Sequence, residues 1–238
     1  SAVAAGGAID ITVGEKGTWL EAYPDETPLS EIPRPFTAVS EGLGSSLSVT
    51  LNGQWTGDAV AGDRGELSVT IGKTGVWQMS PGNKTIGEML SGGAYEFLAL
   101  VPPVYNPGLW SRLYDKAAAG GEFEAADFPI LAYVDTGSSF TLENAGDMTG
   151  SVFILGSYQY PLYPEDYEDN PVPTVTRTEF KGSVSGHWDG ALFAANSMKW
   201  NASDMAGPLE SSKSEVTIEP GGLWENHLES IPDTITAQ

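Results

Sequence analysis

Residues 47–56 read LSVTLNGQWT, a stretch in which an alternating strand runs into a tight turn. Apolar and polar residues alternate over residues 47–51, the pattern of a β-strand with one face buried. Asn52-Gly53 is a strong hairpin turn signal, and residues 54–56 would supply the return strand. The stretch therefore predicts an antiparallel β-hairpin.

Short β-prone runs of the same kind recur along the chain, separated by Gly, Pro, Asn and Asp. They lie at residues 9–13, 66–71, 75–79, 129–134, 138–142, 151–155, 175–184, 191–200 and 214–218. We recognise no internal repeat among them. Such a series is typical of a sandwich or barrel. We predict one compact all-β chain over residues 1–238, an antiparallel jelly-roll-type β-barrel or sandwich, built as one barrel or as two stacked barrels.

Two short helices are also predicted. Asn106-Pro107 resembles a cap followed by proline at the first helical position, and Gly120-Gly121 would end that helix. A second short helix is expected over residues 223–231.

The chain is strongly acidic, with 32 Asp and Glu against 11 Lys and Arg and a net charge of −21. Self-repulsion of that size opposes a compact state at ordinary ionic strength, whereas in molar salt the Debye length falls to roughly 3 Å. We therefore predict a protein adapted to high salt, with an acidic surface or secreted protein of an ordinary organism as the alternative. Phosphate binding needs a basic stripe, so we expect no direct nucleic-acid partner.

Composition also bounds the class of protein. Hydrophobic residues make up 40% of the chain and aromatic residues 10%, which suits a packed core and argues against disorder. No apolar run approaches the roughly 18 residues of a membrane span, so no transmembrane segment is expected. The absence of cysteine excludes disulfides and thiolate metal sites within the chain.

Residues 132–139, AYVDTGSS, resemble the apolar-apolar-Asp-Thr-Gly-Ser-Ser loop of pepsin-like aspartic proteases. Such an aspartate needs a second carboxylate to share its proton, and the sequence has no second Asp-Thr-Gly or Asp-Ser-Gly. A retroviral-type dimer would supply it from another copy, and Ile154-Leu155-Gly156 imitates that family's apolar-apolar-Gly element at too short a spacing. A hydrolase acting through Asp135-Thr136-Gly137 is thus a remote alternative to a simple turn between strands.

Three further features of the sequence are candidate sites. Ile71-Gly72-Lys73-Thr74 lacks the preceding glycine of a phosphate-binding loop, so it is interpreted as a strand end with a turn. The acidic residues 164–170 could hold a cation weakly, but a solvated loop is the favoured interpretation. His187 and His227 have no nucleophile nearby in sequence.

The sequons at Asn83 and Asn201 would be glycan acceptors only in an exterior protein. We therefore assign no catalytic, cofactor-binding or metal residue, and we expect a protein that is not an enzyme and needs no cofactor.

An acidic all-β chain of this length resembles the major capsid proteins of tailless, membrane-containing icosahedral viruses that infect halophilic archaea (sphaerolipovirus-like). Residues 138–163, two strands leading into a Pro/Tyr-rich loop, look like the rim of a barrel. The resemblance implies a single upright β-barrel and a role as a structural subunit of the virion shell. Fold alone does not fix function, so a haloarchaeal cell-surface or surface-layer β domain is the alternative.

The partners expected of a shell subunit are copies of itself and a second capsid protein. The Pro-rich loops at residues 24–35, 102–107 and 160–173 are the expected contact elements, since their restricted backbones lose little entropy on ordering. The expected location is the virion, with the extracellular cell surface as the alternative.

Overall fold

The computed structural model describes the chain in eight stretches. They are residues 2–20, 37–62, 64–78, 130–135, 137–158, 175–196, 212–226 and 234–237. Within these stretches every regular element is a β-strand.

Successive strands join three different sheets in turn, so the backbone winds in coils. The first coil is β1 (Ala2–Ala5), β2 (Ala8–Val13) and β3 (Thr18–Leu20); the second is β4 (Ala38–Glu41), β5 (Ser46–Leu51) and β6 (Gln54–Thr56); the third is β7 (Ala59–Gly62), β8 (Glu66–Ile71) and β9 (Val76–Gln78). The fourth is β10 (Ile130–Asp135), β11 (Ser139–Asn144) and β12 (Asp147–Thr149); the fifth is β13 (Ser151–Tyr158), β14 (Val175–Thr176), β15 (Thr178–Val184) and β16 (His187–Asp189). The sixth is β17 (Leu192–Asn196), β18 (Ser212–Ile218) and β19 (Leu223–Glu225), and β20 (Thr234–Ala237) follows it.

Each sheet stacks the equivalent strands of successive coils. The first sheet runs β1-β4-β7-β10-β13-β17, the second β2-β5-β8-β11-β15-β18-β20 and the third β3-β6-β9-β12-β16-β19. Neighbouring strands in all three are parallel, and the one antiparallel pair described joins Ser157 to Thr176 and Tyr158 to Val175. This architecture is a parallel β-helix, a solenoid in which each coil contacts the coils before and after it.

The predicted antiparallel jelly roll is therefore wrong. β5 pairs in parallel with β2 and β8, and Asn52-Gly53 leads the chain from the second sheet to the third instead of folding it back. The alternation of apolar and polar residues indicated antiparallel strands, because most parallel sheets are buried on both faces. Here three parallel sheets surround one core, so each sheet keeps an outer face in contact with solvent. For the same reason, neither a jelly-roll barrel nor two stacked barrels describes this fold.

The chain does contain an internal repeat, contrary to expectation. Ser46 pairs with Glu66, 20 positions later, but Glu66 pairs with Ser139, 73 positions later. The spacing of 20 residues between the second and third coils is therefore not repeated along the chain, because long insertions separate other coils. A Gly-x-Trp motif, with Met in place of Trp in the fourth coil, opens the third-sheet strand of every coil.

The helix predicted over residues 223–231 is contradicted where the structure describes it, because Leu223–Glu225 is strand β19. Its Trp224 lies in register with Trp188 of the preceding coil, so sheet pairing overrides the local propensity. The helix predicted from Asn106 lies outside the described residues.

The core lies between the three sheets and is filled by the inward half of each alternating strand. In the second sheet Leu47, Val49 and Leu51 are at most 1% exposed, and their equivalents in the third coil are at most 2% exposed. Full burial of one such side chain contributes roughly 1.5–3 kcal/mol. The stacked rows thus supply much of the driving force for folding.

A column of five tryptophans and one methionine runs along the third sheet in strict register. Its members are Trp19, Trp55, Trp77, Met148, Trp188 and Trp224. The stacked pairs have ring centroids 4.4–4.8 Å apart, close to the spacing of neighbouring strands.

Three indoles of this column are also anchored by hydrogen bonds. Trp77, Trp188 and Trp224 each donate the Nε1 proton to a glycine carbonyl of the preceding coil, at 3.0, 2.9 and 2.9 Å. The column therefore fixes the orientation of one coil on the next as well as burying apolar surface.

The corners between the second and third sheets are closed by a column of glycines. A Cβ on Gly186 would lie 2.2 Å from the carbonyl oxygen of Gly146, and one on Gly146 would lie 2.3 Å from that of Gly75. Real Cβ atoms do not approach so closely, so these positions require glycine. Each of these corners has only two or four residues.

Candidate functional site

The outer side of the first coil is where the repeating core comes to the surface. β1, β2 and β3 are each the terminal strand of their sheet. Ile9, Ile11 and Trp19 are only partly buried, whereas Leu47 and Trp55, which take the places of Ile9 and Trp19 in the second coil, are 0% exposed. We call this side, formed by β1 to β3, the first-coil edge.

The backbone of β2 presents hydrogen-bonding groups at this edge. The carbonyls of Gly7 and Val13 accept from the amides of Ser46 and Asn52, so the odd-numbered residues of β2 face β5. In a parallel ladder the alternate residues point their amides and carbonyls to the opposite side. Ala8, Asp10 and Thr12 therefore direct theirs away from β5, to a side on which no described strand pairs with β2.

A cavity of about 440 Å³ lies at the same edge. Its lining comes entirely from the first coil: Ala2, Ile11, Thr12, Val13, Gly14, Gly17, Thr18 and Trp19. Apolar surface and one indole form most of it, and two threonine hydroxyls are the polar side-chain groups. None of the lining residues is charged, so the cavity offers no ion-pairing group to a ligand.

Charge is low at this edge. The described part of the first coil carries only Asp10, Glu15 and Lys16. The eight described stretches together hold 13 of the 32 acidic residues and six of the 11 basic ones. The greater part of the net charge therefore lies in the segments between the described strands.

Asp135, the aspartate of the protease-like motif, ends β10, and β11 begins at Ser139. Gly137 adopts a left-handed conformation there (φ 73°), and its amide donates to Oγ1 of Thr178 at 3.0 Å. Leu155 of the Ile154-Leu155-Gly156 element pairs with Asp135 in the adjacent strand. The two elements are thus neighbours in one parallel sheet, which differs from the loop arrangement of an aspartic protease.

His187 lies on the outer face of the third sheet between two carboxylates that the sequence analysis did not associate with it. Its Nδ1 is 3.7 Å from Oδ1 of Asp147, and its Nε2 is 3.7 Å from Oε2 of Glu225. Asp147 precedes it by 40 residues, and only the coil register brings the pair together. Within the described stretches no cluster of three or more side chains is suited to hold a metal ion.

One described carboxylate has a clearly shifted pKa. Lys213 donates to Glu215 on the outer face of the second sheet and holds the pKa of that carboxyl below its ordinary value. About a third of each side chain is exposed (37% for both), so the pair is a surface feature.

The remaining candidates are distributed as follows. Ile71 ends β8 and the next four residues form a turn closed by a bond from the Gly75 amide to the Gly72 carbonyl, as the sequence predicted. His227, the acidic residues 164–170, the sequons at Asn83 and Asn201 and the Pro-rich loops lie outside the described residues. Among the described residues no helix is long and apolar enough to cross a membrane.

Comparison with known proteins gives no match: no protein-family model, no curated protein and no solved structure is similar to this chain.

Proposed function

We propose that this chain is a structural protein of an exterior surface, a solenoid that works in salty water and whose connecting segments carry most of the net charge. The observation that carries the proposal is where the long insertions leave the coil stack. In repeat proteins the insertions gather on one side of the solenoid, and that side is commonly the one that meets partners.

The three kinds of corner differ sharply in length. All six corners from the second sheet to the third have two or four residues. Insertions occur at the corners on either side of the first sheet: residues 21–37 and 79–129 lead into it, and residues 159–174, before β14, and 197–211 lead out of it. The corner between the second and third sheets is therefore nearly constant in length, and the two corners that border the first sheet carry the long insertions.

The charge distribution supports display in high salt. Outside the described stretches lie 19 acidic and five basic residues, a net of −14 for the segments between strands and the terminal residues. Carboxylates on such segments repel one another in dilute buffer, and molar salt screens that repulsion. This distribution suits a protein that works in molar salt.

A cell-surface or surface-layer domain of a haloarchaeon is the setting we favour. Its argument rests on composition and on an extended β scaffold, and neither depends on a barrel. The hypothesis of a virion shell subunit stays a prediction. A barrel fold no longer supports the virion hypothesis. The acidic composition still supports it, and so would self-association at high salt.

Localisation in the source cells tests the proposal. Intact cells are treated briefly with protease in molar salt, and the remaining protein is detected with an antibody to the folded chain. We expect the protein to be degraded while a cytosolic marker survives. A chain that is protected until the cells are lysed would contradict the proposal. Recovery of the chain in purified particles with a second shell protein would favour the virion instead.

Folding in salt gives a second test with purified protein. The melting temperature measured by circular dichroism should rise steeply from tenths-molar to molar KCl, because screening relieves repulsion among the acidic residues. A flat melting temperature across that range would remove the argument for a salt-adapted surface.

A further inference from the structure

We propose that the outer face of the first sheet is a docking site for a segment of this same chain, residues 79–129, which covers an apolar stripe on that face. The inference goes beyond the proposed structural function and does not depend on it. It assigns this face to one of the chain's own insertions instead of to a partner.

The stripe consists of one outward apolar side chain from each of five neighbouring strands of the first sheet. Its members follow one another in register and are Val3, Val39, Val60, Tyr133 and Phe153. Their neighbours along the strands, such as Ala38, Ala59 and Ala132, belong to the core cluster between the sheets, whereas none of the five does. Because successive side chains of a strand point to opposite faces, the five side chains lie on the outer face.

The burial of Phe153 shows that a further layer covers the stripe there. Phe153 is 3% exposed although it points away from the core. Its ring stacks on Tyr133 with centroids 5.7 Å apart, a contact that shields one side only. Thr141 and Lys181 also have strands on both sides, on the outer face of the second sheet, and both are exposed. Neighbouring strands alone therefore do not bury an outward side chain.

Residues 79–129 are the insertion whose composition fits that layer. The segment has 24 hydrophobic residues among its 51, whereas the insertions 21–37, 159–174 and 197–211 have five, five and six. It carries six acidic and three basic residues, a net charge of only −3. Burial against the solenoid removes those apolar side chains from water, which is favourable.

The segment also has the length and the attachment points that docking requires. It connects β9 to β10, and β10 itself carries Tyr133 of the stripe. Three other corners from the third sheet to the first have one or two residues, as at Gly57-Asp58. Almost the whole of residues 79–129 is therefore in excess of what the corner needs, and it is attached beside the face that it would cover.

The insertion that follows β13 is less suited to cover Phe153. Ser157 and Tyr158 at the end of β13 pair antiparallel with β14, so residues 159–174 begin and end at that pair. Ser157 lies four residues beyond Phe153, about 13 Å along the strand. Residues 159–174 also carry four acidic residues and no basic one, which favours contact with water.

Photo-cross-linking of the cysteine-free chain identifies what lies over the stripe. Val60→Cys, labelled with a benzophenone maleimide and irradiated in molar KCl, should give cross-linked peptides from residues 89–119. This range leaves out both ends of the segment, which the connections to β9 and β10 hold near the sheet in any case. Ser68→Cys is the matched control, because Ser68 is also half-buried in the third coil but lies on the outer face of the second sheet. It should give no cross-link to residues 89–119.

A charge placed on the stripe gives a second readout. Val60→Asp would bury a carboxylate beneath the segment and should lower the melting temperature by roughly 5 °C or more. Ser68→Asp places the same group on a solvated face and should lower it by less than about 2 °C. Circular dichroism in molar KCl measures both variants.

Several results would overturn the inference. Cross-links from Val60→Cys only to residues 21–37, 159–174 or 197–211 would assign the stripe to a different insertion, and covalent dimers would place a second copy there. Cross-linking to residues 89–119 that is no stronger than from Ser68→Cys would also contradict it, and so would equal melting temperatures of Val60→Asp and Ser68→Asp. None of these results decides the surface location, which protease treatment of intact cells measures separately.

Discussion

Trp55 and Trp77 stack face to face with ring centroids 4.4 Å apart and planes 4° from parallel. They belong to successive coils and are 22 residues apart in sequence. Both are fully buried, and Trp77 also meets the edge of Phe140 at 6.4 Å. This pair is the most direct expression of the repeat, since the parallel register places the same residue type at equivalent positions of successive coils.

Replacing Trp77 with alanine should therefore destabilise the protein strongly. The variant loses a buried indole, two ring contacts and the hydrogen bond to the Gly57 carbonyl, and we expect a loss of about 3–5 kcal/mol in the free energy of unfolding. Denaturant unfolding at molar salt measures it. Trp19→Ala is the matched control, because Trp19 is only partly buried at the first-coil edge and should cost much less. Equal losses would contradict the column as described.

The glycine column gives a second prediction. In Gly186→Ala the new Cβ would lie 2.2 Å from the Gly146 carbonyl oxygen, so two corners must move apart, and we expect a cost of about 1–3 kcal/mol. Gly14→Ala lies at the same kind of corner in the first coil, with no other atom within 4 Å of the new Cβ. It should stay within about 0.5 kcal/mol of wild type. Thermal melts of the two variants decide between close stacking and a loose corner.

The sequence predicted part of this fold correctly. Residues 47–51 and 54–56 lie on strands, and the alternating apolar residues Leu47, Val49 and Leu51 face the core. Alternation reports which face of a strand is buried, but it does not report which strand lies beside it. The choice of an antiparallel partner came from the Asn52-Gly53 turn, which here joins two sheets.

The repeat itself could have been found from one signal. In the described stretches Gly-x-Trp occurs at Gly17, Gly53, Gly75, Gly186 and Gly222, with Gly-x-Met at Gly146. The full sequence has one further match to each pattern, at Gly108 and Gly87, outside the described residues. A fixed period was absent because the 51 residues between Gln78 and Ile130 separate the third coil from the fourth. The contacts of His187 with Asp147 and Glu225 depend on that register, so sequence alone could not place them.

Lys213 and Glu215 allow a prediction about pH. Because the pKa of Glu215 is lowered by Lys213, the pair stabilises the fold above the ordinary glutamate pKa of 4.5, and that contribution is lost as pH falls through the lower folded value. Lys213→Gln should raise the pKa of Glu215 toward 4.5, as carboxyl carbon NMR can measure. The effect on stability should be slight because the pair is exposed. An unchanged titration would show that Lys213 does not set the pKa.

Asp135 offers a test of the remote hydrolase hypothesis. We expect no peptide hydrolysis by purified protein and no difference between wild type and Asp135→Asn. An aspartic protease would need a second carboxylate, and the neighbouring strand places Leu155 beside Asp135. A pepstatin-sensitive activity that Asp135→Asn abolishes would contradict this expectation.

Cross-linking tests the coil register most directly, and the cysteine-free chain is well suited to it. Ser68 and Thr141 are 73 residues apart in sequence but lie side by side in β8 and β11, whereas Lys181 lies one strand further along in β15. The double variant Ser68→Cys/Thr141→Cys should therefore form an intramolecular disulfide under mild oxidation, since neighbouring strands are about 4.8 Å apart. Ser68→Cys/Lys181→Cys should not, because its cysteines are two strands apart. A disulfide in the second variant and none in the first would contradict the parallel β-helix.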